Sequence, residues 1–347
     1  MKALVLKANA DLKLEDRPIP SDVEEGTLLI KIAACGICGS DMPRGFQNGA
    51  YFYPLVMGHE FSGLVEEEVH GSPFNKGDKV AIFPLMPTDQ SEKVYQSGDY
   101  ALCKSYDYFG SRRDGAFQEY LRVPEFNLFK IPDHVDLIHA SMTEPAAVAF
   151  HGVKKLHISD GDSGLVIGAG PIGNMTAQWL KILGCKQVVV VDIDPEKLKI
   201  AQKMGFITIN SAEKDPVKEV MKMTNGEGIQ RIVEACGLPV TFLQAIESAS
   251  TFGEIVFMGN IHGEFRISEK EFSSILRREL SIYGTWNSKI VPRGSDDWST
   301  VLENLDKNLI VAPLISDLVG LDDGPEIFDS ILNKKRFHNK VIFKIGG

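Results

Sequence analysis

No stretch of the 347 residues comes near the roughly 18 consecutive apolar residues that span a bilayer, so a transmembrane helix is not expected. The first apolar run, residues 3–6 behind a single lysine, is too short for a signal peptide, and a cytoplasmic protein is expected. Cysteine is scarce and odd in number: Cys35, Cys38, Cys103, Cys185 and Cys236. Five thiols in so long a chain do not make the disulfide framework of a secreted scaffold, so any special cysteine is a metal ligand or a nucleophile. Positive charge is short as well, with 37 Lys and Arg against 47 Asp and Glu, a net charge of −10. Such a chain repels phosphate backbones, and neither a nucleic acid nor a membrane is expected as a partner. Internal repeats and low-complexity runs are also missing. What is there, 44% hydrophobic and 24% charged residues, is the composition of a packed protein of about two domains.

Residues 1–140 alternate short apolar runs with turn signals. Strands are expected at 2–7, 28–33, 61–67, 79–83 and 117–123, punctuated by Arg17-Pro18-Ile19-Pro20 and Lys76-Gly77-Asp78. From residue 165 apolar strands alternate with helical stretches, the strands falling at 165–168, 188–192, 206–209, 229–235, 254–259 and 280–284. Six such units predict an α/β fold with a doubly wound parallel sheet. After Thr285 come helical stretches at 298–305 and 324–332 and an apolar strand at 340–345. This tail is too short to fold alone and is expected to rejoin the first half. The predicted domains are residues 1–146 with 287–347, and residues 147–286 inserted between them.

Gly168-Ala169-Gly170-Pro171-Ile172-Gly173 fits the pattern G-x-G-x-x-G. It follows an apolar strand and opens the helical stretch 175–183, so backbone N–H groups and a helix N-terminus can face a pyrophosphate. The next strand ends at Asp192, about 20 residues on. A carboxylate there hydrogen-bonds a ribose 2′-hydroxyl and repels a 2′-phosphate, which predicts NAD in preference to NADP. Asp194 and Lys197 flank the same turn and either touch the ribose or form an ordinary solvated helix start.

Cys38, in Cys35-Gly36-Ile37-Cys38-Gly39-Ser40-Asp41, and the pair His59-Glu60 offer a thiolate, an imidazole and a carboxylate near strand ends. That is a catalytic zinc donor set with a position left open. Cys35 and Cys38 imitate half of a zinc ribbon, but no second Cys-x-x-Cys follows. Cys185 and Cys236 lie in apolar settings and read as core thiols. His70, His134, His139, His157, His262 and His338 have no ligand partner at motif spacing, and His151 is a minor candidate to approach the site.

Further motifs are Gly-His-Glu at 58–60, Gly-Asp-Lys-Val at 77–80, Asp-Gly-Ala-Phe-Gln-Glu-Tyr at 114–120 and Glu-Pro at 144–145. With Cys-Gly-Ser-Asp at 38–41 and the glycine motif, they make the chain resemble, over essentially its whole length, the zinc-dependent medium-chain dehydrogenases, in their polyol branch. The resemblance implies a β-rich, GroES-like catalytic domain closed by the C-terminal segment, a Rossmann domain inserted in it, and assembly as a homodimer or homotetramer. It also implies zinc ligands Cys38 and His59 with either Glu60 or Glu144, because Thr143-Glu144-Pro145 is similar to the sorbitol and threonine branches. The implied reaction is NAD- and zinc-dependent oxidation of a secondary alcohol of a polyol or polyol phosphate to the ketose, with galactitol 1-phosphate foremost. Sorbitol, another unphosphorylated polyol or L-threonine is the alternative. A non-catalytic NAD-binding protein is the remote one, against which the joint retention of Cys38, Ser40, His59, Glu60 and Glu144 argues.

In that resemblance Ser40 is the first proton acceptor. The histidine that often completes the relay is replaced by Pro43, which leaves the exit to Glu60, Glu144 or a water at the metal. Arg44, Arg112 and Arg113 either hold a substrate phosphate or anchor their loops through Asp107 or Asp114. Trp286 and Asn287 either line the substrate pocket or pack between domains. Two departures stand out. Of the four cysteines of the family's structural zinc lobe only Cys103 is present, with Asp89, Glu92 and Tyr95 near the other positions, so one catalytic zinc per subunit is expected. Glu66-Glu67-Glu68-Val69 stands where the family carries a glycine, so that turn is expected to differ.

Overall fold

The computed structural model describes residues 1–21, 24–47 and 49–346. The chain divides into two compact units, Met1–Pro145 with Ser288–Gly347, and Ala146–Asn287. Among the described residues no helix is long and apolar enough to cross a membrane.

The first unit is organised around one strand, Thr27–Gly36. Leu28, Ile30 and Ile32 alternate with half-buried Leu29 and Lys31, the period of a sheet face, and from Ala33 onward both faces are buried. This strand pairs antiparallel with Glu60–Val65, with Tyr120–Pro124 and with the C-terminal strand Lys340–Lys344. Lys79–Ile82 and Leu128–Lys130 extend the sheet on one side and Ile315–Val319 on the other. The tail thus supplies two strands of this sheet. The register sets Gly36 opposite Glu60 on one neighbour and Ile342 on the other.

The second unit holds six parallel strands, Ser163–Ile167, Gln187–Asp192, Ile207–Asn210, Ile229–Glu234, Ala249–Phe257 and Ser281–Gly284. Counted within the unit, their order is 3-2-1-4-5-6, the doubly wound arrangement expected from the sequence. Val188 to Val191 are all buried, as strands covered on both faces require. Asp194 and Asp215 cap the helices Pro195–Lys203 and Pro216–Met223, each with proline at the first helical position.

Sequence patterning misses Asp11–Asp16, Leu55–Val56, Leu85–Pro87, Tyr106–Tyr108, Leu128–Lys130 and Ile315–Val319. Four of these are two or three residues long, too short to show a period. Asp11–Asp16 is half exposed, pairing with Lys2–Ala8 through a turn at Ala10 (φ 63°). Of the strand expected at 117–123, Phe117 and Glu119 are bends and Gln118 forms an isolated bridge with Ala3, so the ladder begins at Tyr120. The glycine-free turn at Glu66 to Val69 is secured by Glu67. Its carboxylate accepts both Arg122 terminal nitrogens, at 2.7 and 3.3 Å, and the Leu29 N–H at 2.9 Å. The Arg122 guanidinium holds that carboxyl below its usual range.

The lobe between Leu85–Pro87 and Tyr106–Tyr108 is held by contacts within it and by contacts with Phe126 and Lys289. Tyr95 packs on Tyr100 and Tyr100 on Phe126, with centroids 5.2 and 5.6 Å apart. Lys289 pairs with Asp99 at 3.0 Å, and the Glu92 carboxylate accepts the Lys104 N–H. Cys103 is buried among these residues.

Trp298, in helix Asp297–Asn304, anchors the tail to the N-terminal sheet. Its ring meets Phe83 and Phe129 at 5.5 and 5.3 Å, and its indole N–H donates to Ser288 Oγ at 3.0 Å. Trp298→Ala is expected to cost about 3–5 kcal/mol through the cavity and the lost packing. Urea denaturation measures this as a lower midpoint at unchanged slope. A loss below about 1 kcal/mol, the ordinary mutational average, would mean that this helix does not anchor the tail.

Candidate metal centre and dinucleotide site

Cys38 lies just beyond the end of Thr27–Gly36, and His59 and Glu60 lie at the start of the neighbouring strand. Strand pairing therefore brings them together, and one ligand-type atom from each lies within 4.8 Å of the other two. Asp41, fully buried, organises the surrounding turn. Its carboxylate accepts the Cys38 N–H at 3.0 Å, pairs with Arg44 Nη1 at 2.8 Å and lies 3.6 Å from His59 Nδ1. A carboxylate beside Nδ1 favours the tautomer that leaves the Nε2 lone pair free for a metal.

Glu60 is ion-paired with Lys340, whose ammonium also donates to the Ile37 carbonyl at 3.0 Å, and both side chains are almost fully buried. Glu144, in the first turn of helix Thr143–Val153, accepts the Tyr108 hydroxyl at 3.1 Å. Burial pushes the Glu144 carboxyl up to about 7, opposed by His59 and assisted by Glu60. Burial likewise pushes the Cys38 thiol up to about 12, with Glu60 and Asp41 adding to the shift.

These residues fit a divalent metal. His59 turns Nδ1 toward Asp41, which leaves Nε2 for the ion, and the raised Cys38 thiol becomes a ligand only when a cation displaces its proton. Asp41, Glu60 and Glu144 bring three carboxyl groups to the region against two cations, Arg44 and Lys340. Sulfur, nitrogen and oxygen donors together suit zinc.

In the second unit the glycine motif has the shape a pyrophosphate needs. Gly168 has φ 114°, and a side chain on Gly173 would overlap the Gly168 carbonyl, so the helix Pro171–Ile182 starts directly against the strand. Gly170 faces open space. The N–H groups of the helix's first turn have no acceptor within the helix. Asp192 accepts the Ala169 N–H at 2.7 Å and the Asp194 N–H at 2.9 Å, which fixes its carboxylate beside this turn. Asp194 accepts from Glu196 N and Lys197 N, so its carboxylate serves as the helix cap. Lys197 is half-buried in the following turn.

The remaining candidates are placed as follows. Arg44 reaches the metal centre only through Asp41. Arg112 donates to the Tyr106 carbonyl and lies 4.2 Å over the Tyr106 ring and 5.4 Å over Tyr51. Arg113 lies 3.5 Å from Asp107 and 5.2 Å over Phe109. Asp114 instead pairs with Arg17 at 3.0 Å and accepts the Val56 N–H. Ser40 is exposed and precedes helix Asp41–Phe46 without its hydroxyl capping it. In the second unit Trp286 is exposed and Asn287 has φ 53°. His151 lies in the same helix as Glu144, seven residues on. Cys35 and Cys185 are buried, and Cys236 packs against Gly168.

Sequence reasoning missed Asp41, Tyr108 and Lys340 as parts of the metal centre. Asp41 lies within a recognised motif, but its burial is not visible there. Lys340 is 280 residues from Glu60, and its local sign is a lysine directly before the apolar run Val341-Ile342-Phe343.

Residues 24–133 match the family model of the alcohol dehydrogenase GroES-like domain and residues 171–307 that of zinc-binding dehydrogenases. The chain is 33% identical to galactitol 1-phosphate 5-dehydrogenase of Escherichia coli (strain K12) over 319 residues, 91% of this chain and 92% of that protein. It is 32% identical to L-threonine 3-dehydrogenase of Alteromonas mediterranea over 340 residues, 95% and 96% of the two chains. The crystal structure of galactitol-1-phosphate dehydrogenase from Escherichia coli aligns over 99% of this chain and 100% of that one, with TM-score 0.91 and 31% identity. A putative zinc-binding dehydrogenase from Sinorhizobium meliloti, bound to NADP, aligns over 99% and 98% with TM-score 0.88 and 26% identity. The chain belongs to the zinc-dependent alcohol dehydrogenase family, the medium-chain oxidoreductases that join a GroES-like domain to a Rossmann-like parallel sheet.

Lys340→Met is expected to destabilise the chelated protein by about 3–5 kcal/mol, the cost of stranding a buried charge. Glu60→Gln in the same background should recover much of that loss. Urea denaturation of the four proteins forms a double-mutant cycle. A zero interaction energy would mean that the two residues do not act as a pair.

Proposed function

We propose that the chain oxidises a secondary alcohol of a small polyol to the ketone with NAD, using one zinc per chain. The observation that carries this reading is the convergence of Cys38, His59 and Glu60 beside Glu144 in a chain of this family. Cys38 and His59 would hold the ion, and Glu60 is our choice of third protein donor because it lies within reach of both, with Glu144 beside them. Zinc there would supply a Lewis acid that makes a substrate hydroxyl more acidic, and NAD the hydride acceptor. The Ser40 hydroxyl, exposed and unused as a cap, would accept the substrate proton first. Assembly as a homodimer or homotetramer belongs to the same proposal and is checked by light scattering.

Elemental analysis should find one zinc per chain. Exhaustive chelation should abolish alcohol oxidation and zinc should restore it. Two tightly held zincs would overturn the reading of the lobe around Cys103, and full activity of metal-free Cys38→Ser would overturn the metal centre.

For the cofactor, Asp192 would accept the ribose 2′-hydroxyl and repel a 2′-phosphate. A hydrogen bond to a charged group contributes about 1.5–3 kcal/mol, so Asp192→Ala should lower the NAD-to-NADP ratio of kcat/KM by roughly 10- to 150-fold. Equal kcat/KM for the two cofactors in the parent enzyme would overturn the assignment.

Galactitol 1-phosphate is our first candidate substrate, on the strength of the similar Escherichia coli enzyme, with Arg44, Arg112 or Arg113 meeting the phosphate. An unphosphorylated polyol or L-threonine is the second reading, favoured by the pairing of Arg44 with Asp41. A panel of polyols, polyol phosphates and L-threonine, followed by NADH absorbance, separates them. Arg112→Ala and Arg113→Ala should weaken only phosphorylated substrates. Equal turnover of galactitol and its phosphate would favour the second reading.

A further inference from the structure

Apart from the metal donors, the first unit aligns three side chains from three elements. Ser330 lies in helix Gly324–Leu332, Asp317 in strand Ile315–Val319, and His338 in the segment leading to strand Lys340–Lys344. Ser330 Oγ is 2.8 Å from His338 Nε2, and His338 Nδ1 is 2.9 Å from Asp317 Oδ2. The His338 and Asp317 side chains are 6% and 7% exposed. Asp317 is fixed further by the Ser316 hydroxyl, at 2.7 Å, and by Arg336. With Nδ1–H directed at Asp317, the lone pair of Nε2 faces the serine hydroxyl, the arrangement of a serine activated by an oriented base.

A structural clamp between tail segments needs only the His338–Asp317 pair. The serine end, in contrast, opens on a cavity of about 190 Å³ lined by Val319, Asp323, Glu326, Ile327, Ser330 and Arg336. That volume admits a short acyl group, for which Val319 and Ile327 offer apolar contact. Asp323 and Glu326 repel anionic substrates, and Arg336, the one cation among the lining residues, keeps Asp317 in place through one of its terminal nitrogens. Ser330 is in the last turn of its helix, whose negative end favours the imidazolium formed during reaction.

We propose that Ser330, His338 and Asp317 form a second, hydrolytic site that acts on small uncharged acyl esters. Ser330 Oγ attacks the ester carbonyl carbon while His338 Nε2 takes its proton. Collapse of the tetrahedral adduct breaks the bond to the alkoxy oxygen, which leaves as the alcohol with the proton from His338. Water then attacks the acyl-serine, His338 takes a proton from it, and the carboxylic acid departs as the proton returns to Ser330. The balance is ester plus water to acid plus alcohol, with no change of oxidation state.

The test treats the zinc-loaded enzyme with a fluorophosphonate probe and, separately, with p-nitrophenyl acetate. The probe is expected on Ser330 by peptide mass spectrometry. Ser330→Ala, which removes one hydroxyl, should lose the label and lower p-nitrophenyl acetate hydrolysis above background by roughly 100-fold, the low end of acid–base catalysis. His338→Gln should do the same. Alcohol oxidation by Ser330→Ala should equal that of the parent, and Cys38→Ser, assayed at a temperature where circular dichroism shows it folded, should keep the esterase activity while losing the dehydrogenase. Labelling absent from Ser330, parental hydrolysis by Ser330→Ala, or loss of hydrolysis in Cys38→Ser would each overturn the proposal. The last would assign the hydrolysis to the metal centre.

Discussion

The Lys340 ammonium and the Glu60 carboxylate, both removed from water, join the last strand of the chain to the strand that presents the metal donors. A buried ion pair is rarely a net gain over apolar packing, yet breaking one side of it is severe. Its consequence here is positional. Lys340 can lie beside Glu60 only if Lys340–Lys344 pairs with Thr27–Gly36 in the observed register, because slipping by one residue would turn the ammonium to the opposite face. The same register buries Val341, Ile342 and Phe343 and brings the Lys340 ammonium to the Ile37 carbonyl, just before Cys38. The charge pair and the apolar strand therefore specify one alignment between them.

Around that pair the first unit holds an excess of negative groups. Burial pushes both the Cys38 thiol and the Glu144 carboxyl toward their protonated forms, and Glu60, joined at the thiol by Asp41, adds to the shift. Asp41 is bonded on both sides, by the Arg44 guanidinium and by the Cys38 N–H. The division has a physical logic. The carboxylate that orients the histidine is given a guanidinium and Glu60 an ammonium, whereas the Cys38 thiol and the Glu144 carboxyl are left without a paired cation.

How much of this was legible in the sequence follows from how far apart the interacting residues lie. Cys38, His59 and Glu60 stand in short motifs, and the glycine turn with its following acid lies within one strand–helix–strand unit, so both sites could be read locally. The parallel strands were legible because burial on both faces writes continuous apolar runs such as Val188 to Val191. Short pairs such as Leu85–Pro87 with Tyr106–Tyr108 carry no such run, since they are fixed by contacts made elsewhere. Lys340 and Tyr108 escaped for the same reason: a lysine at a strand start and a tyrosine beside an aspartate look like surface residues until distant partners are known. The arginines show the converse. The pair Arg112-Arg113 is visible in the sequence as a local cluster of positive charge, whereas their contacts with Tyr106, Asp107 and Phe109 appear only in the folded chain.

The two sites also differ in how they depend on folding. The dinucleotide turn is built from backbone N–H groups and a carboxylate that two backbone donors hold in place, so it is complete once the strand and helix form. The metal centre instead gathers side chains from residues 38, 59, 60 and 144, with a counter-charge from 340, and a metal bound there closes long loops. Closing a long loop removes more entropy from the unfolded chain than closing a short one, and metal binding to such a set is itself folding free energy. Loss of the metal therefore weakens the first unit, through both the released loops and the uncompensated carboxyl groups. The glycine turn of the second unit does not share this dependence, because its donors are backbone N–H groups and its carboxylate is already held by two of them.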